Sequence, residues 1–189
     1  MNGHLQKSEL RSALKELLLK LSYEKREVTL SSGAKSDFYF DGKQTSLNAK
    51  GACLLGELFY DKIRELDCKI VAVGGPTLGA DPLVTAVSLT SYLKNDPIAA
   101  FIIRKEPKKH GTGQWIEGAK NLNAGDLVLI LEDVVTSGKS SIEAVAKAAE
   151  FGLNVHGILT IVDREEGGAD KIRAQGLFFD SLFKKSELI

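Results

Sequence analysis

Apolar positions along this chain switch between two periods. Leu10, Ala13, Leu14, Leu17, Leu18 and Leu21 recur at helical spacing and predict an amphipathic helix over about residues 5–23. Residues 28–41 predict two short β segments about a turn centred on Gly33. Asn48 is a candidate N-cap for a helix reaching about residue 65. Apolar runs at 70–73, 98–103, 127–131 and 154–163 have the length of buried strands. Helices are predicted between several of them: one to about residue 93, with Pro82 tolerated in its first turn, and one after 141, where Ile142, Val145, Ala146 and Ala149 recur. A helix over 169–175 and a short strand over 177–179 follow, and Ser181, Leu182 and Phe183 close the pattern. Strands and helices in alternation argue an α/β fold with a mainly parallel central sheet and helices on both faces. The first 45 or so residues form a small N-terminal hood, and 1–189 reads as a single domain, since no repeat, linker or low-complexity tract divides it.

Composition narrows the function classes. With 189 residues, 43% of them hydrophobic, the chain is long enough for a substantial core. Lys+Arg and Asp+Glu balance at 25 each, so no global field draws nucleic acid or an anionic membrane, and any cationic site must be local. No apolar run would span a bilayer and the start lacks a signal-peptide core, from which a cytoplasmic location is expected. Cys53 and Cys68 have no metal-ligand spacing and are expected to be reduced core residues.

The chemistry concentrates at 127–141. Five apolar residues lead into Glu132 and Asp133, and then into Thr136, Ser137, Gly138, Lys139, Ser140 and Ser141 at the start of a helix. A helix N-terminus offers unpaired N–H groups and a positive dipole end to a phosphate. Gly138 lets the backbone approach closely, and the neighbouring hydroxyls can donate. The carboxylates would repel phosphate but accept hydrogen bonds from sugar hydroxyls, so the stretch reads as a grip on a ribose 5-phosphate. Two other readings stand beside it. Gly138, Lys139 and Ser140 match the tail of a Walker A loop, but Asp133 occupies the place of its first glycine. An ordinary strand–turn–helix with solvated acids is the other; against it, acids and turn fall together at a strand's C-terminal end, where open α/β sheets bind ligands.

Leu-Glu-Asp-Val-Val-Thr-Ser-Gly-Lys-Ser at 131–140 resembles the phosphoribosyl pyrophosphate (PRPP) motif of the type I phosphoribosyltransferases. A second segment specifies the member. Residues 104–118 hold Arg104, Lys105, Lys108, Lys109 and His110 among three glycines and a proline, and read as a long mobile loop. Alone, such a run is a solvated charged loop. Beside a phosphate site in a neutral protein, it is also a cationic lid for a diphosphate. Its pattern, Arg-Lys-x-x-Lys-x-His-Gly-x-Gly followed by Ile-Glu-Gly, closely resembles the catalytic loop of orotate phosphoribosyltransferases.

That resemblance covers about residue 20 to the C-terminus and implies the type I phosphoribosyltransferase fold and a set of roles. Glu132 and Asp133 would hold the ribose; Thr136, Ser137, Gly138, Lys139 and Ser140 would hold the 5′-phosphate. Thr77, Arg104, Lys105, Lys108 and His110 would face pyrophosphate, with Lys108, His110 and Asp133 the catalytic residues. Ser31, Tyr39, Phe40, Thr136 and Arg164 would contact orotate, the aromatic pair covering the base, with Lys43 following it. By itself Arg164 reads as a salt-bridge residue, and the 74–82 loop as either a structural turn or a ligand contact. Some orotate enzymes carry lysine where Ser31 or Leu78 stands here, so phosphate contacts at Thr77 and Leu78 should come from backbone or hydroxyl groups. Implied partners are orotate, PRPP, a Mg2+ held mainly by substrate oxygens, and a second copy of the chain sharing loop 104–118 across a homodimer interface; neither nucleic acid nor membrane is implied. A purine-base phosphoribosyltransferase, or a non-catalytic nucleotide-binding regulator of the same fold, are the alternative functions.

Overall fold

Val128 and Ile130 point to one side of their strand, Leu129 and Leu131 to the other, and all four are fully buried. Both faces of that strand must therefore be covered. The computed structural model of the chain, which describes residues 6–29, 35–107 and 115–189, builds this as a sheet between two helical layers. Helix α1 (Lys7–Leu21) leads into an antiparallel hairpin of β1 (Tyr23–Thr29) and β2 (Lys35–Phe40). Then follow α2 (Lys43–Ser46), α3 (Ala49–Arg64), β3 (Ala72–Pro76), α4 (Asp81–Leu93), β4 (Ala99–Ile103) and β5 (Ile116–Glu117). After a 3-10 turn at Ala119–Asn121 come β6 (Leu127–Val135), α5 (Lys139–Glu150), β7 (Asn154–Asp163), α6 (Gly168–Arg173), β8 (Phe178–Lys184) and α7 (Lys185–Leu188).

Among the described residues the main sheet has six strands in the order β5-β4-β3-β6-β7-β8, parallel except for β5. The chain steps from β3 through α4 to β4 in one direction, and from β6 through α5 to β7 in the other. Because such crossovers are right-handed, opposite steps put α4 and α5 on opposite faces. The buried side chains agree. Leu83, Val84 and Val87 of α4 share a cluster with Val73, Leu129 and Leu131, whereas Ala144 and Ala148 of α5 pack with Val128, Ile130 and Phe101. The hairpin joins the first cluster through Phe38 and Phe40, whose rings stack at 6.0 Å. No helix among the described residues is long and apolar enough to cross a membrane.

Several expected boundaries move. The first helix ends at Leu21, and Tyr23 opens β1 with its ring against Phe38. β3 starts later than residue 70 and absorbs Gly74 and Gly75, because neighbours occupy the space a side chain would need: a Cβ at Gly74 would lie 2.1 Å from the Phe101 ring. The expected loop 104–118 is shorter, since Ile116 and Glu117 pair antiparallel with Ile103 and Ile102. The buried stripe of α5 is Ser141, Ala144 and Ala148, while Ala146 and Ala149 face solvent. The short last strand extends to Lys184 and includes Ser181 to Phe183. Cys53 is exposed rather than in the core; Cys68 packs at its edge, and both are free thiols. Asn48 caps α3 as expected, its side chain accepting from the N–H groups of Lys50 and Gly51 at 3.1 and 3.2 Å.

Candidate active site

β3 and β6 pair only from Ala72–Val128 to Gly74–Ile130, whereas β6 stays paired with β7 as far as Val135. The crevice that opens beyond Gly74 lies at the point where chain direction across the sheet reverses, the usual ligand position of an open α/β sheet. Its cavity of about 470 Å³ is lined by Glu132, Asp133, Thr77, Ser140, Arg104 and Lys105, together with Lys43 and Lys147.

Glu132 and Asp133 are residues of β6 itself, not of a turn after it. Strand alternation therefore sends them to opposite faces. Glu132 turns toward α5 and is 5% exposed; its Oε1 accepts from the hydroxyls of Ser140 at 2.9 Å and Ser141 at 3.2 Å. Burial, reinforced by the charge of Asp133, pushes the Glu132 carboxyl up to about 7 despite those two donors. Asp133 turns toward the hood. It is held where a Cβ on Gly42 or on Gly79 would come within 2.7 Å of it, so only glycine fits on either flank. Lys43 Nζ lies 3.8 Å from its Oδ2 and 2.6 Å from Asp41. Burial raises the Asp133 carboxyl above the usual range, with Lys43 opposing. At Asp41 burial pushes the same way, but bonds from Lys43 and Gln44 outweigh it and the carboxyl ends low.

Gly138 caps α5 with φ +75°, a left-handed conformation that glycine adopts without steric cost. The N–H groups of Lys139, Ser140 and Ser141 begin the helix and have no acceptor within it, which leaves an anion cradle beside Glu132. Ser140 and Ser141 direct their hydroxyl protons to Glu132, so the cradle rests on backbone N–H groups with the half-buried Thr136 and Ser137. The Lys139 side chain points away, 83% exposed and 3.9 Å from Glu143.

The pyrophosphate candidates are partly engaged within the protein. Thr77 donates its hydroxyl to Asp81 at 2.7 Å and its N–H to Ile103 C=O at 3.0 Å. Arg104 bonds Glu117 at 2.7 Å. Arg164, 8% exposed at the end of β7, pairs with Glu166 at 3.1 Å and donates to the Phe38 carbonyl at 3.2 Å, tying the hood to the sheet. Tyr39 and Phe40 sit on opposite faces of β2: Tyr39 stacks under Arg26 at 3.7 Å while Phe40 is in the core, so the two rings do not form one cover over a base. Ser31, Lys108 and His110 lie outside the described residues.

No protein-family model matches the chain. An orotate phosphoribosyltransferase of Rhodopseudomonas palustris (strain TIE-1) is 46% identical to it over 187 residues, 98% of this chain and 99% of that protein. The chain belongs to the orotate phosphoribosyltransferase family. Solved family structures agree in fold. The Mycobacterium tuberculosis H37Rv orotate phosphoribosyltransferase in complex with Fe(III) dicitrate superposes with a TM-score of 0.82 at 38% identity, covering 95% of this chain and 98% of that one. The same organism's enzyme in complex with 5-phospho-alpha-D-ribosyl 1-diphosphate gives 0.78 at 36% identity, with the same coverage.

In this family member Asp41, Gly42, Lys43 and Gly79 carry no distinctive signal in the sequence, yet all four surround Asp133. Lys147, equally inconspicuous in the sequence, reaches the cavity from the third turn of α5. The one local signal for Lys147 is its spacing from Ser140 and Ala144, which puts the three on one stripe of the helix.

Proposed function

We propose that this chain is an orotate phosphoribosyltransferase, acting in the cytoplasmic synthesis of UMP: it transfers ribose 5-phosphate from PRPP to N1 of orotate, giving orotidine 5′-monophosphate and pyrophosphate. The observation that carries this reading is the pairing of two carboxylates with a helix-start anion cradle on one cavity, with Glu132 and the start of α5 in direct hydrogen-bond contact. The full-length likeness to orotate enzymes, one solved with PRPP bound, supports the choice of substrates.

In this reading the cradle at 136–140 anchors the 5′-phosphate, and that remote binding fixes C1 of the ribose relative to the base. Glu132 and Asp133 hold the ribose hydroxyls, their charge favouring the cationic character that develops at C1. Arg104, Lys105, Lys108 and His110 balance negative charge on the departing diphosphate, with Lys108 the leading cation. Thr77 adds a contact there, while Ser31, Tyr39, Thr136 and Arg164 receive orotate, the guanidinium suiting its carboxylate. As the bond from C1 to N1 forms, the N1 proton of orotate leaves to solvent or to the departing pyrophosphate, and no protein base is assigned. The donor set on the cavity floor is oxygen, from the carboxylates of Glu132 and Asp133 and the hydroxyl of Ser140, which fits Mg2+. Bound there through substrate oxygens near Asp133, Mg2+ would supply charge neutralisation to the diphosphate. Residues 1–189 would act as one domain, and two copies as a dimer sharing loop 104–118.

Purified protein given PRPP, Mg2+ and orotate should consume the orotate absorbance, and chelating the metal should stop it. Lys108→Ala should lower turnover by about a hundredfold with the fold retained. Mixing Lys108→Ala with Asp133→Ala should recover activity if the loop serves the neighbouring subunit. Inhibition by hypoxanthine or adenine would mark a purine enzyme, and ligand binding without turnover a regulator.

A further inference from the structure

Lys147 has no role assigned above, yet it touches two segments that border the cavity and are distant from it in the chain. Arg104, at the end of β4, donates its N–H to the Trp115 carbonyl at 2.9 Å, just before Ile103 and Ile116 pair between β4 and β5. These two residues form a stem. From the third turn of α5, Lys147 places its ammonium 3.9 Å from the centre of the Trp115 ring, and the same group donates to the Arg104 carbonyl at 3.3 Å. One half-buried cation thus binds both strands of the stem to a helix that also lines the cavity.

We propose that Lys147 is a positioning residue, setting the distance between the anion cradle at the start of α5 and the cations Arg104 and Lys105 at the end of β4. The reason lies in what α5 carries. Its N-terminus holds the cradle, and Lys147 lies two turns further along the same rigid helix. A substrate with an anionic group at each end is sensitive to the spacing of the two receiving sites. Lys147 ties that spacing to the helix instead of leaving it to the stem alone. The inference rests on the reading of the cavity as a PRPP site, but its first test does not.

Trp115 is the chain's single tryptophan, so its emission reports the stem alone. Lys147→Met keeps the bulk of the side chain and removes the charge; Lys147→Arg keeps a cation. In ligand-free protein, Lys147→Met should at least double the acrylamide quenching of Trp115 while Lys147→Arg stays near wild type, with both variants melting close to it. Unchanged quenching in Lys147→Met overturns the contact. Inorganic pyrophosphate should then bind Lys147→Met about five- to tenfold more weakly, and KM for PRPP should rise by a similar factor with KM for orotate unchanged and Lys147→Arg restoring both. Equal rises in both KM values, or no change in pyrophosphate affinity, would show a general structural role and overturn positioning. If the wild type turns over no orotate, the proposed reaction fails, and quenching and pyrophosphate binding still decide the case of Lys147.

Discussion

Glu132 combines 5% exposure with a neighbouring carboxylate, and its carboxyl is pushed up to about 7 from an ordinary 4.5. The folded chain therefore holds a proton there more tightly than the unfolded chain between pH 4.5 and 7, and stability falls as pH rises through that interval. At 1.36 kcal/mol per pH unit the full cost, present above pH 7, is about 3 kcal/mol. Asp133, also raised, acts in the same direction. Asp41 and Glu187 are shifted down, so their contribution is lost only in more acidic solution, below their ordinary values of 3.8 and 4.5. Wild-type protein should accordingly melt several degrees lower at pH 8 than at pH 5, and Glu132→Gln, which stays neutral and keeps an acceptor for Ser140 and Ser141, should lose most of that difference while losing PRPP affinity. Calorimetry at the two pH values checks this; an identical drop in the variant would assign the pH dependence elsewhere. Glu132 and Asp133 were legible in the sequence because two acids in succession at the end of an apolar run are locally conspicuous. Lys43 and Lys147 were not. Each is one of 25 Lys and Arg residues, and what ties each to the cavity is a group distant in the chain, Asp133 for the first and Arg104 for the second.

At the level of elements, the join between β6 and α5 depends on Gly138. Its φ of +75° disfavours any side chain, and a Cβ would also come 3.1 Å from the Gly168 carbonyl. Gly138→Ala should cost about 1–2 kcal/mol of stability and weaken phosphate binding more than orotate binding, measured by denaturant titration and by isothermal titration with inorganic phosphate. Long elements with strong periodicity were readable: α1, α3, α4 and the four buried strands all exist within a few residues of their expected bounds. Two kinds of element were not. β5 has only two residues, too few to carry a period. The inner stripe of α5 was half legible: Ile142 and Val145 pack against the core, but Ala146 and Ala149 are apolar yet small enough to be left outside, whereas Ser141 is polar but finds Glu132 inside.

Across the whole molecule, the parallel sheet with helices on both faces followed from alternation of strand and helix, but the order β5-β4-β3-β6-β7-β8 did not, because one buried strand's apolar run looks much like another's. One surface also bears on the proposed dimer. Leu89, Tyr92 and Leu93 lie at i, i+3 and i+4 on α4 and are each at least 60% exposed, a stripe of large apolar residues that calls for a covering partner. Leu89→Glu with Leu93→Glu should halve the sedimenting mass and reduce turnover if that stripe lies in the subunit contact; an unchanged mass would move the contact elsewhere. The crevice between β3 and β6 has a further consequence. It exists because the chain winds one way from β3 and the other way from β6, so its location belongs to the path of the backbone and not to any side chain lining it. Side chains that line it can be exchanged one at a time while the crevice stays put, and new linings can be tried on this scaffold without first rebuilding the floor on which they act.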